Sequence, residues 1–350
     1  MRKRTSAMVA AIALAACAAA VPSATVAGQT RQLAMPRTPD GHPDFQGTYD
    51  IATLTPIERP AAAGGRLTLT DQQAAALEGT EKSRVFERAL PSEPDRAAPP
   101  VGGNVGGYNN FWIDRGDRVI RVDGSPRSSL IIDPPDGRIP ALTPDAKQRA
   151  ANQARNTPNP EDSESAGADT NAFDNPEQRP LGERCLVGFS STSGPPTMPN
   201  YFYNNLKQIV QTPTTIMILV EMVHDVRVIR MNQPHLPSNI RKWMGDSVGR
   251  WEGDTLIVDT TNFTSKTRFR GSTENLHVVE RFWRDTDGTL MYRFTAEDPR
   301  TWVRPWTGEF PWPATGEQIF EYACHESNYS LGNILRGARV LEAEAAAKKK

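Results

Sequence analysis

Neither sign of charge is in excess in this 350-residue chain, which carries 40 Lys and Arg against 41 Asp and Glu for a formal charge of −1. That balance argues against a nucleic-acid binder working through a basic stripe. No glycine loop ends in Gly-Lys-Ser/Thr and no dinucleotide fingerprint follows a strand, which argues equally against a nucleotide or flavin enzyme. Among the five histidines no H-E-x-x-H or comparable metal spacing occurs. Beyond the N-terminus no apolar run reaches the ~20 residues of a spanning helix. Hydrophobic residues at 38% and charged residues at 23% still suffice for a packed core. The surplus is proline: 21 of 29 fall between residues 31 and 200, and only 7 after residue 200. Regular structure is therefore expected mainly in the second half, and a long-helix or helical-repeat architecture is excluded.

The N-terminus has the three parts of an export signal. Met1-Arg2-Lys3-Arg4 is cationic, Ala7–Ala20 is apolar, and small residues lead to a cleavage point after Ala27. Leu14-Ala15-Ala16-Cys17 offers a second reading, a lipobox in which Cys17 is lipidated. A periplasmic or secreted location is expected, with a membrane contact only through lipid at Cys17. Removal of residues 1–27 leaves Cys185 and Cys324, and two cysteines in an oxidising compartment imply a disulfide. A catalytic Cys324 beside His325 is the alternative, weakened because strand neighbours point to opposite faces.

Residues 28–199 form an irregular, Pro-rich region. A helix is expected over 71–89, capped by Thr70 or Asp71 and broken at Gly79. Thr143-Pro144-Asp145 starts another that ends near Asn156. The glycines of 102–107 form a plain loop, and 156–183 form a long excursion pinned by Cys185. Residues 200–335 change to short strands: Ile216–Met222, Val226–Met231, Leu256–Thr260, His277–Trp283, Thr289–Thr295 and Ile319–Cys324. Their Gly/Asp turns indicate an antiparallel meander, and closure into a barrel is one common way to remove its edges. Residues 336–350 are a tail.

Several runs, Gly249–Phe263, Leu276–Phe282, Asp133–Pro140 and Tyr322–Glu326, resemble a large family of exported bacterial proteins, and Gly47-x-Tyr49 is similar to the first-strand motif of lipocalin-like barrels. The resemblance implies an exported, mainly β protein with a calycin-like barrel in its second half. It implies no reaction.

Ionisable residues inside the strands mark the candidate site. Alternation puts His277, Val279, Arg281 and Trp283 on one face, and Val278, Glu280, Phe282 and Arg284 on the other. With the first face inward, His277 or His224 would serve as acid or base. Arg281 would hold an anion and Tyr292 would donate a hydrogen bond. Asp259 or Glu221 would partner the buried charge. A one-residue register shift exchanges the faces and puts Glu280 and Phe282 inside. Trp302 and Trp306, in a Pro-rich loop, are either ligand-stacking groups or core. The functional expectation is a cofactor-independent lyase, isomerase or hydrolase acting on a small, partly apolar or aromatic molecule. The alternatives are a lipocalin-like small-molecule carrier and a scaffold whose strand charges are structural.

Overall fold

The computed structural model describes residues 35–91, 95, 97, 113–156, 173–188, 194–200, 203–266, 269–326 and 328–348. The expected signal segment with Cys17, the glycines of 102–107 and most of the excursion 156–183 lie outside the described residues.

Alternating apolar residues in the second half produce strands β5 (Leu206–Gln211), β6 (Thr215–Val220), β7 (Asp225–Met231), β8 (Asp246–Glu252), β9 (Thr255–Thr261), β10 (His277–Arg284), β11 (Leu290–Glu297), β12 (Trp306–Trp312) and β13 (Ala314–Thr315). The first half supplies β1 (Gly47–Asp50), β4 (Ile131–Asp133) and a small hairpin of β2 (Arg121–Val122) and β3 (Ser125–Pro126). Eleven strands join in one sheet of order β13-β1-β5-β6-β7-β8-β9-β10-β11-β12-β4. The pairs are antiparallel except β7 with β8, which run parallel and are linked by the crossover 232–245.

The expected closed, calycin-like barrel is not what forms: the sheet is open, ending on β13 and β4. Closure would require the end strands β13 and β4 to pair with each other. Instead β13 pairs only with β1, and β4 only with β12 through Thr307–Asp133 and Gly308–Ile131, with a register shift between them. Pro313, which has no N–H, separates β12 from β13. Both terminal strands are only two or three residues long, a common way of blunting exposed edges.

One face of the sheet carries the core. Ile216, Ile218, Ile229, Leu256, Val258, Val278, Phe282, Tyr292, Phe294, Trp306, Phe310 and Trp312 are all buried in it. Full burial of such side chains stabilises by about 1.5–3 kcal/mol each. Gly308 is required by this packing, because a Cβ there would lie 2.5 Å from Phe294 Cε1. The β12 strand was hidden in the sequence by Pro305, Pro311 and Pro313. Pro311 pairs with Met291 on one side, and β4 stops before reaching it on the other, so its missing N–H breaks no ladder.

Helix α1 (Asp71–Ala89) begins at a capping box between Thr70 and Gln73. It runs through Gly79, where a glycine lowers helix stability by about 1 kcal/mol without breaking it. Helix α2 (Pro144–Asn156) follows Thr143 as expected. Helix α3 (Tyr329–Lys348) takes up most of what the sequence suggests is a tail, and none of its residues is buried. Residues 319–323 form no strand, since the Phe320 amide donates to the Glu221 carboxylate at 3.2 Å instead of to a ladder.

Cys185 and Cys324 are bonded, with Cα atoms 5.8 Å apart across 139 residues of sequence. In the chain-entropy description, closing a loop of that size stabilises by about 5 kcal/mol at most. Thiol alkylation of unreduced, denatured protein should label neither cysteine. Prior reduction should label both and lower the melting temperature; full labelling without reductant would contradict the bridge.

Candidate functional site

The register decides which strand residues meet. Val279 pairs with Asp259 and His277 with Glu297, which puts His277, Arg281 and Asp259 on the half-exposed outer face. There His277 bridges two carboxylates, with Nε2 3.0 Å from Asp259 Oδ2 and Nδ1 3.0 Å from Glu297 Oε1. Asp259 Oδ1 lies 2.9 Å from His235 Nε2, and His235 Nδ1 lies 3.2 Å from Asp246 Oδ2. The chain of groups ends at Asp246, which also accepts from Arg230, Lys242 and the Leu236 amide. His235 comes from the crossover, so this ladder fastens the crossover to the sheet.

Electrostatics follow the geometry. Hydrogen bonding to Asp259 raises the His277 imidazole to about 9, with burial opposing and Glu297 assisting. Burial pushes Asp259 up, but His277 and then His235 outweigh it and leave the carboxyl below its usual value. Burial likewise opposes ionisation of Asp246, yet the Leu236 amide, Lys242 and His235 hold it at about 2. His277 is therefore an imidazolium at neutral pH, with both ring nitrogens occupied.

Tyr292 is elsewhere. It pairs with Phe282, not Arg281, so it projects into the core while Arg281 faces out. The expected common cavity of Arg281, His277 and Tyr292 is thereby replaced by the opposite register, with Glu280 and Phe282 inside. Tyr292 donates to Glu280 Oε1 at 2.7 Å and accepts from the Thr197 amide at 2.9 Å. Glu280 receives both terminal nitrogens of Arg227, one of them at 2.9 Å. The same guanidinium donates to Ser247 Oγ and Thr260 Oγ1, each at 3.0 Å. All five side chains are buried, and burial pushes the Tyr292 phenol well above its usual value. Gly245-Asp246-Ser247-Val248-Gly249 has the spacing of a nucleophile elbow, though no triad is legible in the sequence. Ser247 lies within β8 and bonds Arg227 and Thr260, so the spacing has no elbow behind it.

Trp302 and Trp306 are core residues. Both are buried and pack edge-to-face on each other; Trp302 meets Phe269 edge-on and Trp306 stacks on it. His224 is exposed in the β6–β7 connection. Among the described residues no three His, Cys, Asp or Glu side chains are grouped as a metal site. None of the described helices is long and apolar enough to cross a membrane.

In the remaining cluster Glu221 is the expected partner of a buried charge, whereas Lys207 and Asp50 were not legible beforehand. Lys207 on β5 is fully buried, on the same face as Tyr49 and Val220, its partners in register. Its Nζ has two acceptors, the carbonyls of Asn204 and Leu206, both at 3.3 Å. Burial lowers the amine to about 7, against the opposing charges of Glu221 and Asp50. Glu221 is buried at the end of β6, its carboxylate held by the amides of Leu206 at 3.4 Å and Phe320 at 3.2 Å. Asp50, at the end of β1, is raised to about 6 by burial, with Asp114 and Glu317 assisting and the Ala52 amide opposing. The turn after Glu221 is strained: Val223 has φ 62 and His224 φ 42, and a β-branched residue in that region is a genuine outlier. Such outliers concentrate at functional sites. The only forewarning in the sequence was phase, since Lys207 alternates with Ile209 and Gln211.

Two outcomes are expected. Replacing Arg227 by Met strands the Glu280 charge and should destabilise the protein by about 3–5 kcal/mol, read from denaturant unfolding; a change below 1 kcal/mol would show the pair to be dispensable. His277 has a folded value of about 9, above its unfolded value near 6.5. Its stabilisation is therefore complete below pH 6.5 and lost as pH rises through 9. The melting temperature should fall over that window in the wild type and change less in His277→Gln.

Comparison of the chain with protein-family profiles, with curated proteins and with solved structures gives no match. With an open sheet in place of a barrel, the resemblance to exported calycin-like proteins is not sustained.

Proposed function

We propose that the chain is an acid–base enzyme for a small, partly apolar molecule, of lyase or isomerase type, with Lys207 and Glu221 as its working groups. The observation that carries this reading is a fully buried amine lowered to about 7 beside a carboxylate fixed by two backbone amides. An ordinary lysine at pH 7 is neutral in about one molecule in three thousand. At a value near 7 about half the population is neutral and half protonated, which is the condition a proton-transfer group needs. Asp50, raised to about 6, extends the supply of groups titrating near neutrality. Perturbed groups clustered in this way mark functional sites more often than chance.

His277 fits the role less well. Both of its ring nitrogens are committed to carboxylates, leaving none to meet a substrate. The disulfide is consistent with an oxidising compartment, as is the tripartite N-terminal pattern, and both support a reaction outside the cytoplasm.

A buried amine lowered to about 7 weakens the fold progressively as pH falls from its unfolded value of about 10.4 to about 7, and the full penalty is present below that. Lys207→Met should therefore stabilise the protein by about 1–3 kcal/mol. It should also lower turnover by about a hundredfold or more. Turnover is read by mass spectrometry of a small-molecule mixture before and after incubation with pure protein. A Lys207→Met variant that melts lower and consumes the same compounds at the same rate would refute this reading.

A further inference from the structure

We propose that Arg281, on the outer face of the sheet, binds the carboxylate of a small organic acid whose apolar body rests on Val279 and Trp283. The site lies on the face opposite Lys207 and is independent of the chemistry assigned there.

The arginines of β7, β8, β10 and β11 make the case by contrast. Arg227 donates to Glu280, Arg230 to Asp246, Arg250 to Glu252, Arg284 to the Asp44 carbonyl and Arg293 to Glu309, each within 3.0 Å. Arg281 has no such acceptor among the described residues, although it is half-buried. It also stands directly opposite Arg293 in register. Side chains so placed start about 4.5–5.5 Å apart, and like charges there weaken a sheet. The cross-strand row that contains it runs Arg250, Ile257, Arg281, Arg293 and Glu309. The carboxylate of that row, Glu309, already accepts from Arg293 at 2.7 Å and pairs with Arg127 at 3.6 Å. In the next row, Asp259 is held by His235 and His277. The face thus presents a guanidinium without a counter-charge of its own, beside a second cation. What it lacks is an anion.

A guanidinium donates two parallel N–H bonds to a carboxylate, whose planar oxygens match its fork. Two oxygens of a phosphate fit the same fork, so the surroundings decide the class. Val279 and Trp283 flank Arg281 two residues to either side on β10, on the same face and half-exposed. Such walls suit the hydrocarbon of an organic acid and offer nothing to the remaining oxygens of a free phosphate. The Arg293 guanidinium carbon lies 5.3 Å from the centre of the Trp283 ring, within cation–π range, while its Nε stays on Glu309. Arg293 therefore supplies positive field and holds the indole, and Arg281 is left to make the bonds. Because Arg281, Val279 and Trp283 all keep part of their surface exposed, an acid reaches them directly from solvent.

The full-length protein is titrated calorimetrically with sodium benzoate and, separately, with inorganic phosphate at pH 7 and low ionic strength. Benzoate should bind saturably and more tightly than phosphate. Arg281→Gln should weaken benzoate binding by about tenfold or more, and Arg281→Lys, which keeps the charge but loses the fork, should weaken it as well. Arg304→Gln, which removes an exposed arginine paired with Asp133, should leave it unchanged. Without ligand, Arg281→Gln should melt at or above the wild-type temperature, because it relieves the opposition to Arg293; benzoate should then raise the melting temperature of the wild type and not of the variant. Absence of saturable benzoate binding, or equal binding by Arg281→Gln, overturns the site. Phosphate binding as tight as that of benzoate overturns the organic acid as its ligand. An Arg281→Gln variant that melts well below the wild type marks the guanidinium as a structural group and overturns the assignment equally.

Discussion

The buried pair of Arg227 and Glu280 is the constraint on which the rest depends. Its polar shell draws one group from each of five consecutive positions in the sheet: Arg227 on β7, Ser247 on β8, Thr260 on β9, Glu280 on β10 and Tyr292 on β11. Taking two charges out of water is costly, and only a nearly complete set of partners offsets it. A slip of one residue in β7 or β10 would turn its charged group outward and leave the other alone in the core, and a slip in β8, β9 or β11 would remove a hydroxyl that satisfies the pair. The pair therefore specifies the register more sharply than apolar alternation could, because Val, Ile and Phe accept many neighbours. Once register is set, the outer face follows without further choice, including the placement of His277, Asp259 and Arg281.

The two faces of the sheet handle charge differently. On the outer face, Asp259 and Asp246 are surrounded by His235, His277, Arg230 and Lys242, and the ionised forms are favoured. On the inner face near the β5–β6 end, burial pulls the Lys207 amine down to about 7. The first arrangement holds structure together. The second lies next to a strained turn at Val223 and His224.

Much of the sheet could be read from alternation, since β6, β7, β9, β10 and β11 all fall on runs of β-branched and aromatic residues. The partition of β10 into two faces was legible, but not which face was inward, because both carry a charge beside an aromatic. Resolving that needs the partner on β7, fifty-three positions away from Glu280, and no local pattern announces it. The strand β12 was obscured by its prolines and the sheet edges by their brevity. His235 follows Pro234 in a stretch with no local sign of a site, although that turn is what delivers it to Asp259. The disulfide could be inferred from the small number of cysteines; Lys207 could not be recognised, since burial of one end of a strand is a tertiary fact.

The single parallel junction between β7 and β8 has a consequence for how the chain reaches this state. On either side of it, β5–β7 and β8–β12 are runs of sequence neighbours, most joined by short turns and β9–β10 by the longer connection 262–276, and such local pairings form fast. The junction itself requires the crossover 232–245 to traverse the sheet, and β1 must find β5 across more than 150 residues. Contacts across the junction are therefore of higher sequence separation than those within either half. The side chains that clasp across the junction, Arg227 from one half with Ser247, Thr260 and Glu280 from the other, are what make docking of the halves selective. Covalent continuity through the crossover contributes mainly loop-closure entropy to that docking. The crossover is accordingly the place where the chain could be divided and its halves still recognise one another.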